Sequence, residues 1–309
     1  MTLETDLLID RRRLMRRLFV WRVVAVAAVL ACAALAVGDS KLPNAGPHVS
    51  RVRIEGMIGD NRKLVQSIQA VAKDDSAKAL LVEINSPGGT VGGSEALYAA
   101  IRDVAAKKPV VAVMGSLAAS GGYMAAVAAP RIIARESTIT GSIGVMMQTF
   151  EGSDLLGKIG ISAETLTSGP LKDQPSLTHR MTDAGRGVMH AVVMDMYDQF
   201  LEKVALGRNM DADKVRGLAD GRVYTGRQAL KNGLVDAIGA EQDARAWLAS
   251  DKNVSAALPV RDVARPTAWN RLFAEEGESL FGGILKTLLS QRVKLDGAYA
   301  LWQPFDTNE

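Results

Sequence analysis

The stretch PVVAVMGSLAASGGYMAA, residues 109–126, decides the fold. Its first seven residues are almost all apolar and rich in valine, which predicts a buried strand. The remainder is rich in alanine and glycine around Ser120, and a short helix is predicted after Ser120, to about Ala128. Ser120 therefore lies where a strand turns into a helix. Either it caps the helix, or it is a nucleophile whose small neighbours leave room for a substrate backbone.

The residues on either side of this stretch continue the alternation of strand and helix. Residues 79–84, ALLVEI, predict a buried strand, and residues 94–104 have the apolar spacing of a helix. Residues 131–134, RIIA, predict a further strand, and a long helical pattern follows between about residues 182 and 206. One face of that long pattern carries Val188, Val192, Met196 and Phe200. Such alternation predicts an α/β domain with a mostly parallel sheet.

The composition excludes several classes of protein. With 309 residues, of which 48% are hydrophobic and 23% charged, the chain can bury a core. The net charge is only +3, and basic residues cluster in RRRLMRR, residues 11–17, so no nucleic-acid-binding face is predicted. Cys32 is the single cysteine, which excludes an intramolecular disulfide and a cysteine-based metal site. We predict no cofactor and no metal.

The N-terminal segment has the pattern of a membrane anchor. Residues 18–38 are apolar except for Arg22, and at about 1.5 Å per residue their length matches the roughly 30 Å hydrocarbon layer of a bilayer. The basic residues 1–17 predict a cytoplasmic N-terminus, which places the rest of the chain on the other side. Two alternatives are a signal-peptidase site at residues 34–36 and a lipoprotein box at residues 29–32. The length of the apolar run favours an uncleaved anchor.

The rest of the chain divides into three parts. Residues 39–48, with two prolines and no periodicity, predict a linker. Residues 49–250 carry the strand and helix pattern of one α/β domain. Residues 251–309 predict a C-terminal helical extension, with an apolar stripe in LFGGILKTLL, residues 280–289. Such a stripe is expected to pack on the domain or on a neighbouring subunit.

A glycine-rich segment, NSPGGTVGG at residues 85–93, follows a predicted strand and precedes a predicted helix. Its spacing matches neither GxGxxG nor GxxxxGK[ST], so a nucleotide site is weakly supported. Glycines also allow backbone N–H groups to approach a ligand closely, as an oxyanion hole requires.

A serine nucleophile needs a base. The chain has only three histidines, and of His48, His179 and His190 only His179 is a plausible triad base. No GxSxG motif occurs. A desolvated lysine can replace histidine. Lys172, in the loop TSGPLKDQPS at residues 167–176, is the candidate.

Several blocks, taken together in chain order between residues 85 and 239, carry a resemblance to a known family. They are NSPGG, MGSLAASGGYMAAVAA, TGSIGV at residues 140–145, the lysine loop, and DGRVYTGRQALKNGLVDAIG at residues 220–239. This series resembles the bacterial signal peptide peptidase A family, also called protease IV. The resemblance implies a Clp protease/crotonase-like fold, preceded here by one transmembrane helix, and a serine/lysine dyad that hydrolyses peptides.

The resemblance also implies roles for individual residues. Ser120 would be the nucleophile and Lys172 the base, with the N–H groups of Gly89 and Gly121 as the oxyanion hole. Ser142 and Ser168 are polar neighbours that would hydrogen-bond the lysine. Because only one copy of the domain is present, the dyad would join neighbouring subunits of a ring-shaped homo-oligomer.

The substrates implied by the resemblance are signal peptides left in the bacterial inner membrane after cleavage, and other membrane or misfolded peptides. The catalytic domain would then lie on the periplasmic, extracytoplasmic side. Two further functions stay open from the sequence. One is acyl-CoA chemistry of the crotonase type, which shares the fold but needs no serine/lysine pair. The other is a non-catalytic membrane scaffold on a peptidase fold.

Overall fold

The computed structural model describes residues 15–27, 46–263 and 299–301. The chain divides into two units. The first comprises residues 1–46 and 266–274, and the second comprises residues 47–265 and 275–309. The second unit holds the sheet and the candidate site.

In the first unit, the described residues 15–27 form helix α1. The predicted anchor at residues 18–38 overlaps this helix up to residue 27, and its remainder, with Cys32, lies outside the described residues. The apolar stripe at residues 280–289 also lies outside them. Among the helices that the structure describes, none has the length and apolar content to cross a membrane.

The main sheet is built from parallel strands, as the sequence predicts. Along its principal path the order is β7-β6-β4-β2-β1-β9, and β5 pairs with β4 and β8. All pairs are parallel except β6 with β7. The strands are β1 His48–Glu55, β2 Ala77–Ser86, β4 Val110–Ala119, β5 Arg131–Ala134, β6 Ile139–Gly141, β7 Val223–Thr225, β8 Ala237–Ile238 and β9 Val260–Asp262.

Two short strands form a second, antiparallel sheet. They are β3, Gly88–Thr90, and β10, Tyr299–Leu301. Strand β3 lies in the glycine-rich segment, between β2 and the following helix.

Helices connect the parallel strands, because a parallel pair needs a crossover connection. They are α2 Arg62–Val71, α3 Val91–Ala105, α4 Gly121–Ala126, α5 Ser153–Lys158, α6 Asp183–Arg208, α7 Ala212–Leu218, α8 Gly226–Asn232 and α9 Glu241–Lys252. Thr90 caps α3 by accepting from the Gly93 N–H, and Thr182 caps α6 by accepting from the Gly185 N–H. Strand β9 lies beyond residue 250 and extends the sheet next to β1.

The core lies on both faces of the sheet. Residues 79–82 of β2 are fully buried, which agrees with the continuous apolar run that predicts a buried strand. On one face, side chains of α2, α3, α4 and the C-terminal part of α6 pack together, among them Ile101 and Phe200. On the other face, Ala244 and Leu248 of α9 pack against the sheet.

Helix α6 forms, as the sequence predicts, but the face that carries its predicted apolar residues is only partly buried. Phe200 is fully buried, but Val188 and Val192 on the same predicted face are 41% and 37% exposed. Most of the buried residues of α6 lie in its C-terminal third, whereas Gly185 is the buried residue of its first turn. The apolar stripe is therefore longer than the surface that the described residues supply to cover it.

Candidate active site

Ser120 is held at the junction that the sequence predicts. Strand β4 ends at Ala119 and helix α4 begins at Gly121. The Ser120 N–H donates to the Gly141 carbonyl at 2.8 Å, and the Ser120 carbonyl accepts from the Met124 N–H at 2.9 Å. Both sides of the serine are thus fixed by backbone hydrogen bonds to different elements.

The backbone of Ser120 is strained. Its φ of 53° and ψ of −119° lie in a region that L-residues rarely adopt, at a cost of about 1–3 kcal/mol. Its side chain makes no capping hydrogen bond to α4. Helix capping therefore does not explain why a serine stands here, and strain of this kind clusters at functional sites.

The Ser120 hydroxyl is also unusual in its surroundings. The residue is fully buried, and its Oγ has no hydrogen-bond partner among the described residues. An unpartnered buried hydroxyl costs about 1–3 kcal/mol, so folded chains seldom keep one without a reason. A nucleophilic role, in which the hydroxyl would meet a base from elsewhere, is one such reason.

Helix α4 is held in place by close packing. Tyr123 is fully buried and its hydroxyl donates to the Leu234 carbonyl at 2.8 Å. A Cβ at Gly122 would lie 2.9 Å from the Ser86 carbonyl oxygen. The small residues after Ser120 therefore let the helix lie directly against β2.

The glycine-rich segment presents one edge of β3 toward the candidate site. On its other edge, the Ile58 N–H donates to the Gly88 carbonyl and the Thr90 N–H donates to the Ile58 carbonyl, both at 2.8 Å. A Cβ at Gly89 would lie 1.9 Å from the Ile58 carbonyl oxygen, so only glycine fits there. The N–H and carbonyl of Gly89 then face away from Ile58.

Two buried serines that sequence reasoning did not single out support this segment. The Ser86 hydroxyl donates to the Gly56 carbonyl at 2.6 Å and accepts from the Gly88 N–H at 3.1 Å. The Ser94 hydroxyl donates to the Thr90 carbonyl at 2.9 Å. Ser86 belongs to the NSPGG motif itself, so its position beside the glycines was the available signal.

The structure brings Gly89 next to Gly121. A Cβ at Gly121 would lie 2.1 Å from the Ser94 Oγ and 3.3 Å from the Gly89 nitrogen. The Gly89 nitrogen, from a separate segment of the chain, thus lies beside Gly121, the residue after Ser120. This is the donor set that an oxyanion hole needs.

Lys172 is not brought to Ser120 within the chain. It is exposed, and its backbone N–H donates to the Gly169 carbonyl at 3.1 Å in the loop before α6. Ser168 is exposed in the same loop. Ser142, by contrast, is buried and follows Gly141, whose carbonyl binds the Ser120 N–H. The two serines expected beside the lysine are therefore found in different places.

The histidines occupy other surroundings. His179 Nε2 lies 2.8 Å from Asp173 Oδ2, and its Nδ1 lies 3.2 Å from the Arg180 carbonyl oxygen. The contact with that carbonyl and then the one with Asp173 raise the pKa of His179 above its ordinary value. His190 is exposed on α6, and His48 is buried in β1.

We expect His179→Gln to change kcat for peptide hydrolysis by no more than about twofold, the size of an ordinary surface substitution. Both ring nitrogens already face other partners, and the Ser120 Oγ has none among the described residues. Steady-state kinetics on a fluorogenic peptide measure this. A loss as large as that of the nucleophile would make His179 the base.

The same substitution is expected to remove a pH-dependent contribution to stability. Because the folded pKa of His179 is raised, its contacts stabilise the fold fully below the unfolded value of about 6.5. The contribution is lost as the pH rises through the folded pKa. Unfolding free energies of wild type and His179→Gln should therefore differ more at about pH 5 than at about pH 8.

Known protein families and relatives match the part of the chain that contains this site. The Clp protease family model matches residues 51–147, and the model of peptidase family S49 matches residues 102–255. A Synechocystis sp. protein named as a protease is 41% identical over 203 residues, which cover 65% of this chain and 73% of that protein. The matched regions contain Gly89, Ser120 and Lys172.

Two further relatives are longer than the region they share with this chain. An Enterococcus faecium protein named as a signal peptide peptidase SppA is 38% identical over 204 residues, covering 65% of this chain and 59% of that protein. Protease 4 of Salmonella typhi is 34% identical over 192 residues, covering 61% of this chain and 30% of that protein. The chain thus matches less than two thirds of the length of these two relatives.

Proposed function

We propose that this chain, which belongs to peptidase family S49 and is a serine peptidase, uses Ser120 as its nucleophile and Lys172 as its general base. Membership of that family selects the peptidase among the three functions considered from the sequence. One observation carries the assignment of the nucleophile. The Ser120 hydroxyl is buried and unpartnered among the described residues, on a strained backbone, and the next residue, Gly121, lies beside the Gly89 nitrogen.

The proposed reaction proceeds through an acyl-enzyme. The neutral amine of Lys172 takes the proton of the Ser120 hydroxyl as Oγ attacks the carbonyl carbon of a peptide bond. The N–H groups of Gly89 and Gly121 bind the oxyanion of the tetrahedral intermediate. The C–N bond then breaks, and the leaving amine receives the proton from the lysine ammonium. Water, deprotonated by the same lysine, hydrolyses the ester and restores Ser120.

We place the base in a neighbouring copy of the chain. Lys172 is exposed, and the Ser120 Oγ has no partner among the described residues, so the lysine of the same chain does not bond it. A lysine base has to be neutral, and burial at an interface favours the neutral form of an amine. A contact between copies would supply both the missing base and its desolvation.

Large apolar side chains are exposed on both sides of the lysine loop along the chain, between residues 150 and 194. We call them the exposed apolar surface. Its members are Phe150, Leu155, Ile159, Ile161, Leu166, Leu171, Leu177, Val188, Val192 and Met194. Soluble domains seldom leave so many large apolar side chains exposed without a partner. We assign this surface to the contact with a second copy. A repeated head-to-tail contact gives a ring when the rotation between copies closes on itself, and we propose such a ring.

A complementation experiment tests the shared dyad. Ser120→Ala and Lys172→Ala chains are each expected to be inactive on a fluorogenic peptide. When they are mixed at equal amounts and allowed to exchange subunits, about one quarter of the sites should pair an intact serine with an intact neighbouring lysine. We therefore expect the mixture to recover roughly a quarter of wild-type activity.

The control is a mixture of Ser120→Ala chains with Ser120→Ala/Lys172→Ala chains, which contains no intact nucleophile and should stay inactive. Exchange itself is followed by native mass spectrometry of differently tagged chains. If subunits exchange and activity does not return, the dyad is not shared between copies. Full activity of Lys172→Ala alone would remove the lysine from the mechanism.

We further propose that the peptidase is anchored by residues 18–38 in the bacterial inner membrane, with the catalytic unit on the extracytoplasmic side. The support is the apolar run after the basic residues 1–17 and the printed name of the Enterococcus relative. Remnant signal peptides are then the expected substrates, together with other membrane or misfolded peptides. Detection of residues 1–17 on the membrane-bound mature protein would exclude cleavage of the anchor at residue 36.

A further inference from the structure

The loop that carries Lys172 is held mainly by hydrogen bonds within itself. The Thr167 hydroxyl donates to the Gly169 carbonyl at 3.0 Å, and the Lys172 N–H donates to the same carbonyl at 3.1 Å. Among the described residues, residues 167–172 make no hydrogen bond that leaves this segment. An exposed lysine on such a loop has many orientations, and a base has to be held close to one of them to take a proton.

Gln174 is the first residue after Lys172 whose hydrogen bond reaches a helix. Its side-chain Oε1 accepts from the Thr182 N–H at 3.1 Å. Thr182 is the N-cap of α6, and the N–H groups at the start of a helix need partners from outside it. Two residues of chain span at most about 7 Å, so this bond fixes the backbone close to the lysine.

The Gln174 side chain lies against a glycine in the first turn of the same helix. A Cβ at Gly185 would lie 2.5 Å from the Gln174 Oε1 and 2.9 Å from its Cγ and Cδ. Gly185 is buried, and a larger residue there would push the Gln174 side chain away. Glycine is less favourable than alanine inside a helix, so a glycine in this turn needs another reason. The contact with Gln174 supplies one.

We propose that Gln174, packed on Gly185, is a positioning residue that holds the lysine loop against α6 and thereby orients the Lys172 amine for Ser120. The inference rests on the proposed function, in which that serine belongs to a neighbouring copy, and it adds a residue that acts through the base. The bond to Thr182 restricts the loop before the two copies meet. Less conformational entropy is then lost when the dyad forms.

Kinetics on a fluorogenic peptide, measured at the plateau of the pH–rate profile, test this role. Gln174→Ala should lower kcat about tenfold and leave KM within about twofold of wild type, because the base is misplaced while peptide binding is unchanged. Gln174→Glu keeps an acceptor for the Thr182 N–H, and a carboxylate is favoured at a helix N-terminus. Its kcat should therefore stay within about twofold of wild type. An equal loss of kcat in both variants would overturn the proposal.

Gly185→Ala should reproduce the loss of Gln174→Ala without a change in the loop itself. Its Cβ would displace the end of a flexible side chain, so the chain should still fold and unfold cooperatively. The matched control is Gly187→Ala in the same helix, where a Cβ meets nothing within 4 Å. The kcat of this control should equal that of wild type. If the two alanine variants have the same kcat, the contact with Gly185 does not position the base and the inference is wrong.

Subunit mixing separates a role in positioning the base from a role in folding. In one mixture Gln174→Ala is carried by the Ser120→Ala chain, which supplies the lysine. In the other it is carried by the Lys172→Ala chain, which supplies the serine. The first mixture should recover about tenfold less activity than the two single variants together, and the second should recover as much as they do. An equal loss in both mixtures, or no loss in either, would overturn the inference.

The same measurements distinguish this inference from the proposed function. If the dyad complements and Gln174→Ala matches wild type, only the inference is wrong. If the Ser120→Ala and Lys172→Ala chains recover no activity although they exchange subunits, the dyad is not shared. The kcat values of the Gln174 and Gly185 variants then decide whether Gln174 positions the base. If Lys172→Ala is fully active, the lysine is not the base, and the inference falls with it.

Discussion

Ser120→Ala is expected to lower kcat for peptide hydrolysis by about 10⁴-fold or more, because the acyl-enzyme cannot form without the hydroxyl. The fold should not suffer. The substitution removes only the Oγ, which is buried and has no hydrogen-bond partner among the described residues. Deleting an unpartnered buried hydroxyl is expected to stabilise the chain by about 1 kcal/mol. Loss of activity together with a gain in stability is the pattern of a catalytic residue.

The matched control is Ser116→Ala. Ser116 lies on the same strand, β4, but its side chain is exposed. The same substitution therefore removes a hydroxyl that is neither buried nor on a strained backbone. Its kcat and its unfolding free energy should stay close to wild type, within about 0.5 kcal/mol for stability. Kinetics and chemical denaturation of the three proteins measure both effects. Full activity of Ser120→Ala would show that Ser120 is not the nucleophile.

Gly89→Ala is expected to have the second-largest effect. Its Cβ would lie 1.9 Å from the Ile58 carbonyl oxygen, a backbone atom that cannot move aside without breaking the contact between Ile58 and β3. The displaced Gly89 N–H would no longer meet an oxyanion, which lowers kcat by about 10²–10³-fold. The clash should also destabilise the fold by about 1–3 kcal/mol.

Gly92→Ala serves as the control for this prediction. Gly92 lies three residues further along, in the first turn of α3, and a Cβ there meets nothing within 4 Å. Alanine also has a higher helix propensity than glycine, so stability should stay equal or rise by up to about 1 kcal/mol. If Gly89→Ala and Gly92→Ala behave alike in kcat, the N–H of Gly89 does not bind the oxyanion.

Much of the fold follows from local pattern. The apolar run at residues 79–84 falls within β2, and the run at residues 109–115 falls within β4 except for Pro109. The helical spacing after Ser94 falls within α3. The buried residues of these elements recur at regular spacing along the chain, so hydrophobic periodicity is sufficient to find them. The helical pattern between about residues 182 and 206 was correct as a helix, but it does not show which part of its apolar face is buried, because that depends on the elements that pack against it.

The candidate site was predictable only in part. Ser120 and the two glycines lie in motifs of small residues, which stand out against the rest of the sequence. Ser86 and Ser94 did not stand out, since their roles are hydrogen bonds to backbone carbonyls. Ser86 bonds Gly56 in a distant segment, and Ser94 bonds Thr90 one turn earlier. The pairing of β10 with β3 joins residues more than 200 positions apart, and no local pattern encodes such a register.

By itself the sequence determined the alternation of strands and helices, the position of Ser120 between a strand and a helix, and the glycines that allow close backbone approach. These are local properties of apolar period and side-chain size. The tertiary structure decided that the Gly89 nitrogen lies beside Gly121, and that Ser120 is strained and unpartnered among the described residues. It also decided that Lys172 is exposed and does not bond Ser120. Those facts depend on how distant segments pack. Interactions between such segments are not encoded in the local spacing of residues along the chain.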